Sequence, residues 1–293
     1  MKETENDCVI RSLTNGDMPA VLIALRDSFS GYFIPMDLDM SKLLLMFHLY
    51  DIKTRYSFVL EEEGRMSAVM LIGRRGDTAR TGPMGVISSR QKSGLGEKLI
   101  KYSIPLLRDF GIKRMILEVI TENHPAIRLY EKCGFKKTRN LYSYQIEDEK
   151  LFSSEKAAEA VICKEGKNIP DDVELWLENY PWQRDWNTFK KLKNECEYLC
   201  SGDESDMLHL ALWHKSIQFI IRTSSGKPVQ TDRVNNKENS SLISRVAGLI
   251  AEARKIEPML SFNNITEDEL FYEINKHLGY KNYINQYEME LVL

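Results

Sequence analysis

Gln91-Lys92-Ser93-Gly94-Leu95-Gly96 stands between the strand-like Thr81-Gly82-Pro83-Met84-Gly85-Val86-Ile87 and the helix-like run Glu97-Lys98-Leu99-Ile100-Lys101-Tyr102-Ser103-Ile104. A strand, a glycine-bearing turn and a helix start in that order form a pocket of backbone N–H groups, because the first N–H groups of a helix have no partner inside it. The helix macrodipole adds roughly half a positive charge at that end. Glycines at 94 and 96 let the backbone approach an anion with no Cβ in the way, and Lys92 can add a full charge. Gly-x-Gly before a helix also serves as a plain tight turn, so the phosphate-binding reading depends on a second motif.

Working upstream, Val9 to Thr14 alternates like a first strand. Asn15-Gly16-Asp17 turns it into a helix with Val21, Leu22, Leu25 and Phe29 at helical spacing. Phe29 to Met36 contains Gly31 and Pro35 and carries aromatics that suit either a binding mouth or a loop packed on the core. A helix is expected from Ser41, as N-cap, to Tyr50. Tyr56–Leu60 and Met66–Ile72 form a hairpin around the acidic turn Glu61-Glu62-Glu63-Gly64-Arg65.

Downstream, Lys113 to Ile120 is apolar enough for a buried, parallel-paired strand, and a right-handed crossover joins it to the strand before the turn. Asn123-His124-Pro125-Ala126-Ile127-Arg128-Leu129-Tyr130-Glu131-Lys132-Cys133-Gly134-Phe135 then starts with proline in the first turn and stops on glycine. Lys136 to Ile146 alternates as a closing strand.

The order of elements, the Gln91-x-x-Gly94-x-Gly96 turn, and Leu117-Glu118-Val119 followed by Asn123-x-x-Ala126-x-x-Leu129-Tyr130-x-x-x-Gly134-Phe135 resemble the GNAT superfamily of acetyl-CoA-dependent N-acetyltransferases over about residues 8 to 148. The resemblance implies an α/β (α+β) fold, a mixed sheet splayed open at its middle and flanked by helices. It places the pyrophosphate of acetyl-CoA, the cosubstrate, on Gln91, Lys92, Ser93, Gly94, Leu95, Gly96 and Glu97. It also sets the pantetheine arm beside Val86 and Ile87, and makes Asn123 a further cofactor contact; Asn123 also suits a helix N-cap.

Attack of a neutral amine on a thioester requires loss of a proton from nitrogen, stabilisation of an oxyanion and a stable leaving thiolate. A thiol of pKa about 8.5 leaves better when an acid protonates it, and a phenol of pKa near 10 holds its proton at neutral pH. Tyr130 matches the family's tyrosine that commonly serves as this acid, and a strand N–H near Val86 matches its oxyanion donor. Glu118 can reach an acceptor through water as a base, or serve as a paired structural carboxylate. Tyr32, with Asp37 and Asp39 behind it, is a candidate for acceptor binding.

Length and charge bound the rest. At 293 residues two domains of ordinary size are expected. A net charge of −3 and a pI near 6.1 give no electrostatic footprint for nucleic acid. No apolar run reaches the roughly 20 residues of a membrane span, and the acidic start is unlike a signal peptide, so a cytoplasmic protein is expected. Five cysteines scattered through the chain read as reduced thiols. Cys196 and Cys200, four apart on an expected helix, have in His209 and His214 no zinc-like follow-up, so no metal site is expected.

Basic residues outnumber acidic ones up to residue 150 and the balance reverses afterwards, which sets the expected domains at 1–150 and 151–293 with a linker near Ser153-Ser154. In the second half, Trp176, Tyr180, Trp182, Trp186 and Tyr198 fit a core or interface, Ser224-Ser225-Gly226-Lys227 fits a turn, and Ser240 to Lys255 fits a helix. Phe271 to Tyr280 and Tyr287 to Val292 echo Leu129 to Phe135 and its following strand, as a degenerate second GNAT repeat would. Asn275 stands where Tyr130 does, and Asp232 to Asn239 lacks a phosphate-turn glycine.

The chain is thus expected to be an acetyl-CoA-dependent N-acetyltransferase acting on a small-molecule or peptide amine. Its C-terminal module would shape the acceptor site or form a homodimer. A non-catalytic sensor that holds coenzyme A or an acyl-CoA is the alternative.

Overall fold

Period-two apolar runs become strands here, and runs spaced by three and four become helices. The computed structural model describes residues 8–34, 36–146, 173–203, 205–224, 227–228 and 239–293. The expected linker at 147–154, the turn at 225–226 and the segment 232–238 lie outside the described residues.

The first of two compact units contains β1 (Cys8–Ser12), α1 (Met18–Ser28), α2 (Met40–Leu49), β2 (Phe58–Glu62), β3 (Arg65–Arg75), β4 (Thr78–Val86), α3 (Leu95–Asp109), β5 (Arg114–Ile120), α4 (His124–Lys132) and the start of β6 (Lys136–Ile146). Strand alternation sorts the core into two layers: Val69 and Leu71 of β3 face the α1 and α2 side, while Met70 and Ile72 face α3 and α4. The hairpin between β2 and β3 turns at Glu63 and Gly64, both at positive φ, as a two-residue turn requires. The cap of α2 differs from expectation. Asp39 fills that place, its carboxylate accepting the Lys42 N–H at 2.8 Å, and Ser41 lies inside the first turn.

The second unit contains the rest of β6, α5 (Val173–Leu177), α6 (Trp186–Leu192), β7 (Glu197–Asp203), β8 (Asp206–Trp213), β9 (Ser216–Ser224), the two-residue β10 (Lys227–Pro228), α7 (Asn239–Ile256), β11 (Leu260–Ile265), α8 (Leu270–Leu278) and the start of β12 (Asn282–Val292). Two helices, an antiparallel meander, a helix, a strand, a helix and a strand repeat the order of the first unit, so the fold occurs in tandem. The tryptophan-rich stretch is core: Trp176, Tyr180, Trp186 and Tyr198 pack on Val173, Leu177, Phe189 and Phe219. Cys196 and Cys200 are not on a helix. Cys200 lies in β7 opposite His209 of β8, because the chain from Glu197 pairs edge to edge with β8.

The two units divide at Arg139/Asn140, within β6, rather than at residue 150, and Tyr287–Leu293 belongs to the first unit. In that unit the strands follow the order β1-β2-β3-β4-β5-β12-β6. The Leu293 N–H donates to the Lys113 carbonyl at 2.8 Å, and Met289 is 1% exposed among the residues under α3. Pairing decides the division where charge balance does not, since the strand β6 itself runs on past Arg139 to Ile146.

Both sheets fork. Met70 faces Met84 and Ile72 faces Thr81, so Leu71 alone of β3 opposes two residues of β4 and a bulge falls over Gly82 and Pro83. Pro83 has no N–H to give to a ladder, so the bulge is where a proline is tolerated. β4 pairs in parallel with β5 only through Thr78↔Arg114, Ala79↔Met115 and Arg80↔Ile116, then runs on to Val86 while β5 runs on to Ile120. In the second unit Ala211 faces Phe219 and Leu212 faces Ile217, which leaves Gln218 as the extra residue of β9, and β9 meets β11 only at Ser216↔Ser261.

Candidate active site

The expected anion pocket lies at the start of α3. Gly94 is its N-cap at φ +82°, and the first bond inside the helix runs from the Lys98 N–H to the Gly94 carbonyl at 3.0 Å. Among the described residues no side chain caps the N–H groups of Leu95, Gly96 and Glu97, which precede it. The two glycines have different causes. At Gly94 a Cβ would meet open space and only the left-handed backbone selects glycine, whereas at Gly96 it would approach Leu129 Cδ2 at 3.2 Å and Met84 Cε at 3.3 Å. Gly96 therefore serves the packing of α3 on α4 and β4, and the free approach to the backbone belongs to Gly94.

The remaining turn residues hold the loop. Gln91 Nε2 donates to the carbonyls of Ser28 and Val86, both at 3.3 Å, and Ser93 Oγ donates to the Arg90 carbonyl. Lys92 is exposed with φ +62°. Glu97 would repel an anion here, but Lys101 and Lys132 both approach it at 2.7 Å, and hydrogen bonding to Lys101 and then Lys132 lowers its pKa.

One wall of the fork is the end of β4, and strand parity says which residues line it. The Ile87 N–H donates to the Ser67 carbonyl at 3.0 Å, so Ile87 is in a hydrogen-bonded pair and its neighbour Val86, opposite Ala68, is in a non-hydrogen-bonded one. The main-chain groups of Val86, and of Met84 two residues earlier, therefore point away from β3 into the fork. Ile87, expected beside the cofactor, has its N–H on Ser67 and its carbonyl accepting from the Arg90 N–H at 2.9 Å. Met84 was missed because apolar alternation fixes side-chain faces, while the ladder fixes which main-chain groups are free.

The other wall gathers Asn123, Tyr130 and Tyr32. Asn123 caps α4, its Oδ1 accepting the Ala126 N–H at 3.3 Å, and its Nδ2 donates to the Tyr32 hydroxyl at 3.2 Å. Tyr32 stands between Phe29 and Phe33, edge to face with each, in the loop after α1. Tyr130 is half-buried, with its ring against Phe135 at 5.9 Å. Burial first, then the neighbouring Tyr32, Cys133 and Glu118, push its pKa above the ordinary phenol value. Asp37 and Asp39 take no part here: Asp37 pairs with Lys42 at 2.5 Å and Asp39 caps α2.

Glu118 is engaged elsewhere. Arg80 Nε lies 2.9 Å from both of its oxygens and Nη2 lies 2.6 Å from Oε2, with the two side chains 9% and 3% exposed. The arrangement matches the structural alternative for this residue, a carboxylate held by a cation.

The fork of the second unit is filled. Arg184, between α5 and α6, donates from Nε to the Gln218 carbonyl at 3.0 Å and from Nη1 to the Asn264 carbonyl at 3.0 Å, so it bridges β9 and β11 just past their last pair. Glu269 closes the other side at 2.9 and 2.7 Å, both side chains being 4% exposed, and the rings of Tyr180 and Phe262 lie at 4.9 and 4.6 Å from the guanidinium carbon. Asn275, the counterpart of Tyr130, donates to the Tyr280 carbonyl and accepts the Tyr280 N–H, both at 3.1 Å, and so ends α8. Among the described residues no His, Cys, Asp or Glu cluster could hold a metal ion, and no helix is long and apolar enough to cross a membrane.

Comparison with known proteins agrees with this geometry. Residues 22–135 match the model of the acetyltransferase (GNAT) family. An N-alpha-acetyltransferase of Schizosaccharomyces pombe is 25% identical over 96 residues, 31% of this chain and 64% of the relative. The ribosomal protein bS18 alanine N-acetyltransferase of Escherichia coli is 34% identical over 89 residues, 29% of this chain and 60% of the relative. The chain thus spans less than two thirds of the length of these relatives. A GCN5-related N-acetyltransferase from Sphaerobacter thermophilus superposes with a TM-score of 0.65 at 11% identity, covering 97% of this chain and 95% of that one. A Pyrococcus horikoshii protein gives 0.66 at 13% identity, covering 100% and 92%. At these identities the likeness shows the fold, and it extends over both units.

Proposed function

We propose, from the membership of residues 22–135 in the GNAT family of acetyltransferases, that the chain moves an acetyl group from acetyl-CoA to a primary amine in the fork of its first unit. The observation that carries this is the main-chain edge of β4 at Met84 and Val86, which takes no bond from β3 and whose Val86 N–H stays open while its carbonyl accepts Gln91 Nε2, and which leads to the uncapped N–H groups at Leu95, Gly96 and Glu97. An extended arm with amide groups can pair along the first, and its phosphates can sit on the second.

In this proposal the neutral amine attacks the thioester carbonyl and the Val86 N–H donates to the resulting oxyanion. Collapse breaks the carbon–sulfur bond, and Tyr130, kept protonated by burial, gives its proton to the departing sulfur. Asn123 fixes the start of α4 and positions Tyr32 at the acceptor side. The proton lost by nitrogen passes to solvent. The acceptor class is a small-molecule or peptide amine, and the second unit, with Arg184 in its fork, takes no cofactor.

Isothermal titration with acetyl-CoA tests the site. Wild type and Tyr130→Phe are expected to bind equally, Gly94→Val to bind at least about tenfold more weakly because its backbone must leave the left-handed region, and Tyr130→Phe to lose thiol release across an amine panel. Undiminished binding by Gly94→Val would sink the placement.

A further inference from the structure

The last main-chain pair before the fork opens is Arg80↔Ile116. Arg80 is therefore the final β4 residue held to β5 by backbone, and Glu118 stands two residues beyond the final β5 partner. Their side chains meet across the gap that the backbones leave, through the bidentate contact at 2.6 to 2.9 Å. The strands' alternation puts both on the α1 and α2 side, since Ala79, Met115 and Leu117 face the α3 core. On that side the Tyr50 ring covers the guanidinium at 5.5 Å from its centroid. The nearby carboxylates have cations of their own: Asp51 pairs with Arg75 at 2.8 Å and Glu288 with Arg139 at 2.9 Å.

We propose that Arg80 and Glu118 are a positioning pair, a crossbar that sets how wide the fork stands at its root and so the distance between the Val86 N–H on one wall and Tyr130 on the other. A rigid planar guanidinium gripping both carboxylate oxygens has one geometry, where a lone carboxylate or a lysine has several. Glu118 acts through Arg80 rather than by taking a proton from the acceptor: both of its oxygens accept guanidinium N–H groups, and its side chain is 3% exposed. The inference rests on the acetyl-CoA reading of the fork for its functional consequence, and on the pair's geometry for its structural one.

A double-mutant cycle separates crossbar from base. Removing one member of a buried pair strands the other charge, whereas replacing both by apolar side chains of similar size is often tolerated. Arg80→Met and Glu118→Leu are each expected to lower the thermal midpoint and weaken acetyl-CoA binding about tenfold, and Arg80→Met/Glu118→Leu to recover binding to within about threefold of wild type and turnover above both single variants. Arg80→Lys, which keeps the charge and loses the bidentate grip, should bind between wild type and Arg80→Met. A double variant that binds like wild type but turns over no faster than Glu118→Leu would make Glu118 a base and overturn the proposal. Single variants that bind like wild type, or a thermal cycle with no coupling, would overturn it as well. A wild-type chain that takes up no acetyl-CoA would instead defeat the functional reading, and the thermal cycle would still decide whether the crossbar exists.

Discussion

Arg184→Met in the second unit gives the sharpest stability prediction. The substitution removes two hydrogen bonds to Glu269, at 2.9 and 2.7 Å, and two to the carbonyls of Gln218 and Asn264, at 3.0 Å each. Glu269 keeps only the Thr266 N–H at 2.9 Å and hydroxyl at 3.2 Å for a carboxylate that is 4% exposed. Breaking such a pair from one side costs about 3–5 kcal/mol, a large share of the roughly 5–15 kcal/mol that holds a domain together. At about 2–4 °C per kcal/mol for a unit of this size, the midpoint should fall by roughly 6–20 °C. All four tryptophans, Trp176, Trp182, Trp186 and Trp213, lie in the second unit, so their fluorescence during urea unfolding reports on it. Arg184→Met/Glu269→Leu should recover most of the loss, because no charge is then stranded. A single-variant loss below about 1 kcal/mol, or a double variant as unstable as the single, would refute the account of a desolvated pair holding the fork shut.

Other outcomes follow from the first unit. Tyr130→Phe should lower kcat about 10²-fold or more with acetyl-CoA affinity unchanged. Because burial raises the Tyr130 pKa, its acid form persists up to at least pH ~10, so wild-type kcat should show no alkaline limb from this residue below that; a limb near pH 8 that vanishes in the variant would contradict the assignment. Gly85→Ala places a Cβ 2.3 Å from Ser28 Oγ and 2.6 Å from its Cβ, so α1 must move off β4; a loss of about 1–3 kcal/mol in denaturant unfolding is expected. Met289→Ala should cost about 2–5 kcal/mol and weaken acetyl-CoA binding, although it lies far along the chain from the anion turn; unchanged binding would argue against a role of β12 in the first unit's core.

What the sequence revealed followed from local physics. Glycine at 94, the Asn123 cap and Gly134, at φ +96°, are each dictated by backbone geometry within a few residues, so the turn and both helix ends could be read directly. Long-range partners could not. Arg80 and Glu118 are separated along the chain by a helix, and nothing in Leu117-Glu118-Val119 says that a cation waits on the neighbouring strand. The alternation of Tyr287 to Leu291 shows which side chains share a face but not between which strands the segment pairs, so spacing alone does not place Tyr287–Leu293 with the first unit. The spacing of Cys196 and Cys200 suits a helix and equally a strand with an approach to it, and pairing with β8 decided between them. Val86 and Ile87 are consecutive, and which of their backbone groups faces the fork depends on ladder parity that only the partner strand fixes.

The return of Tyr287–Leu293 to the first sheet also has a consequence for synthesis. A chain made from its N-terminus presents β1 to β5 and α4 first, yet the strand that lies between β5 and β6 emerges only after residues 140–286. At ~5–20 residues per second that delay is on the order of ten seconds or more, during which the nascent sheet carries an unpaired edge beside β5. Contacts so distant along the chain also close slowly once available. The acetyl-CoA fork proposed for the early residues would therefore become competent last, so that premature termination anywhere in the second unit would yield a chain that contains every side chain proposed for the reaction but lacks the strand that completes their sheet.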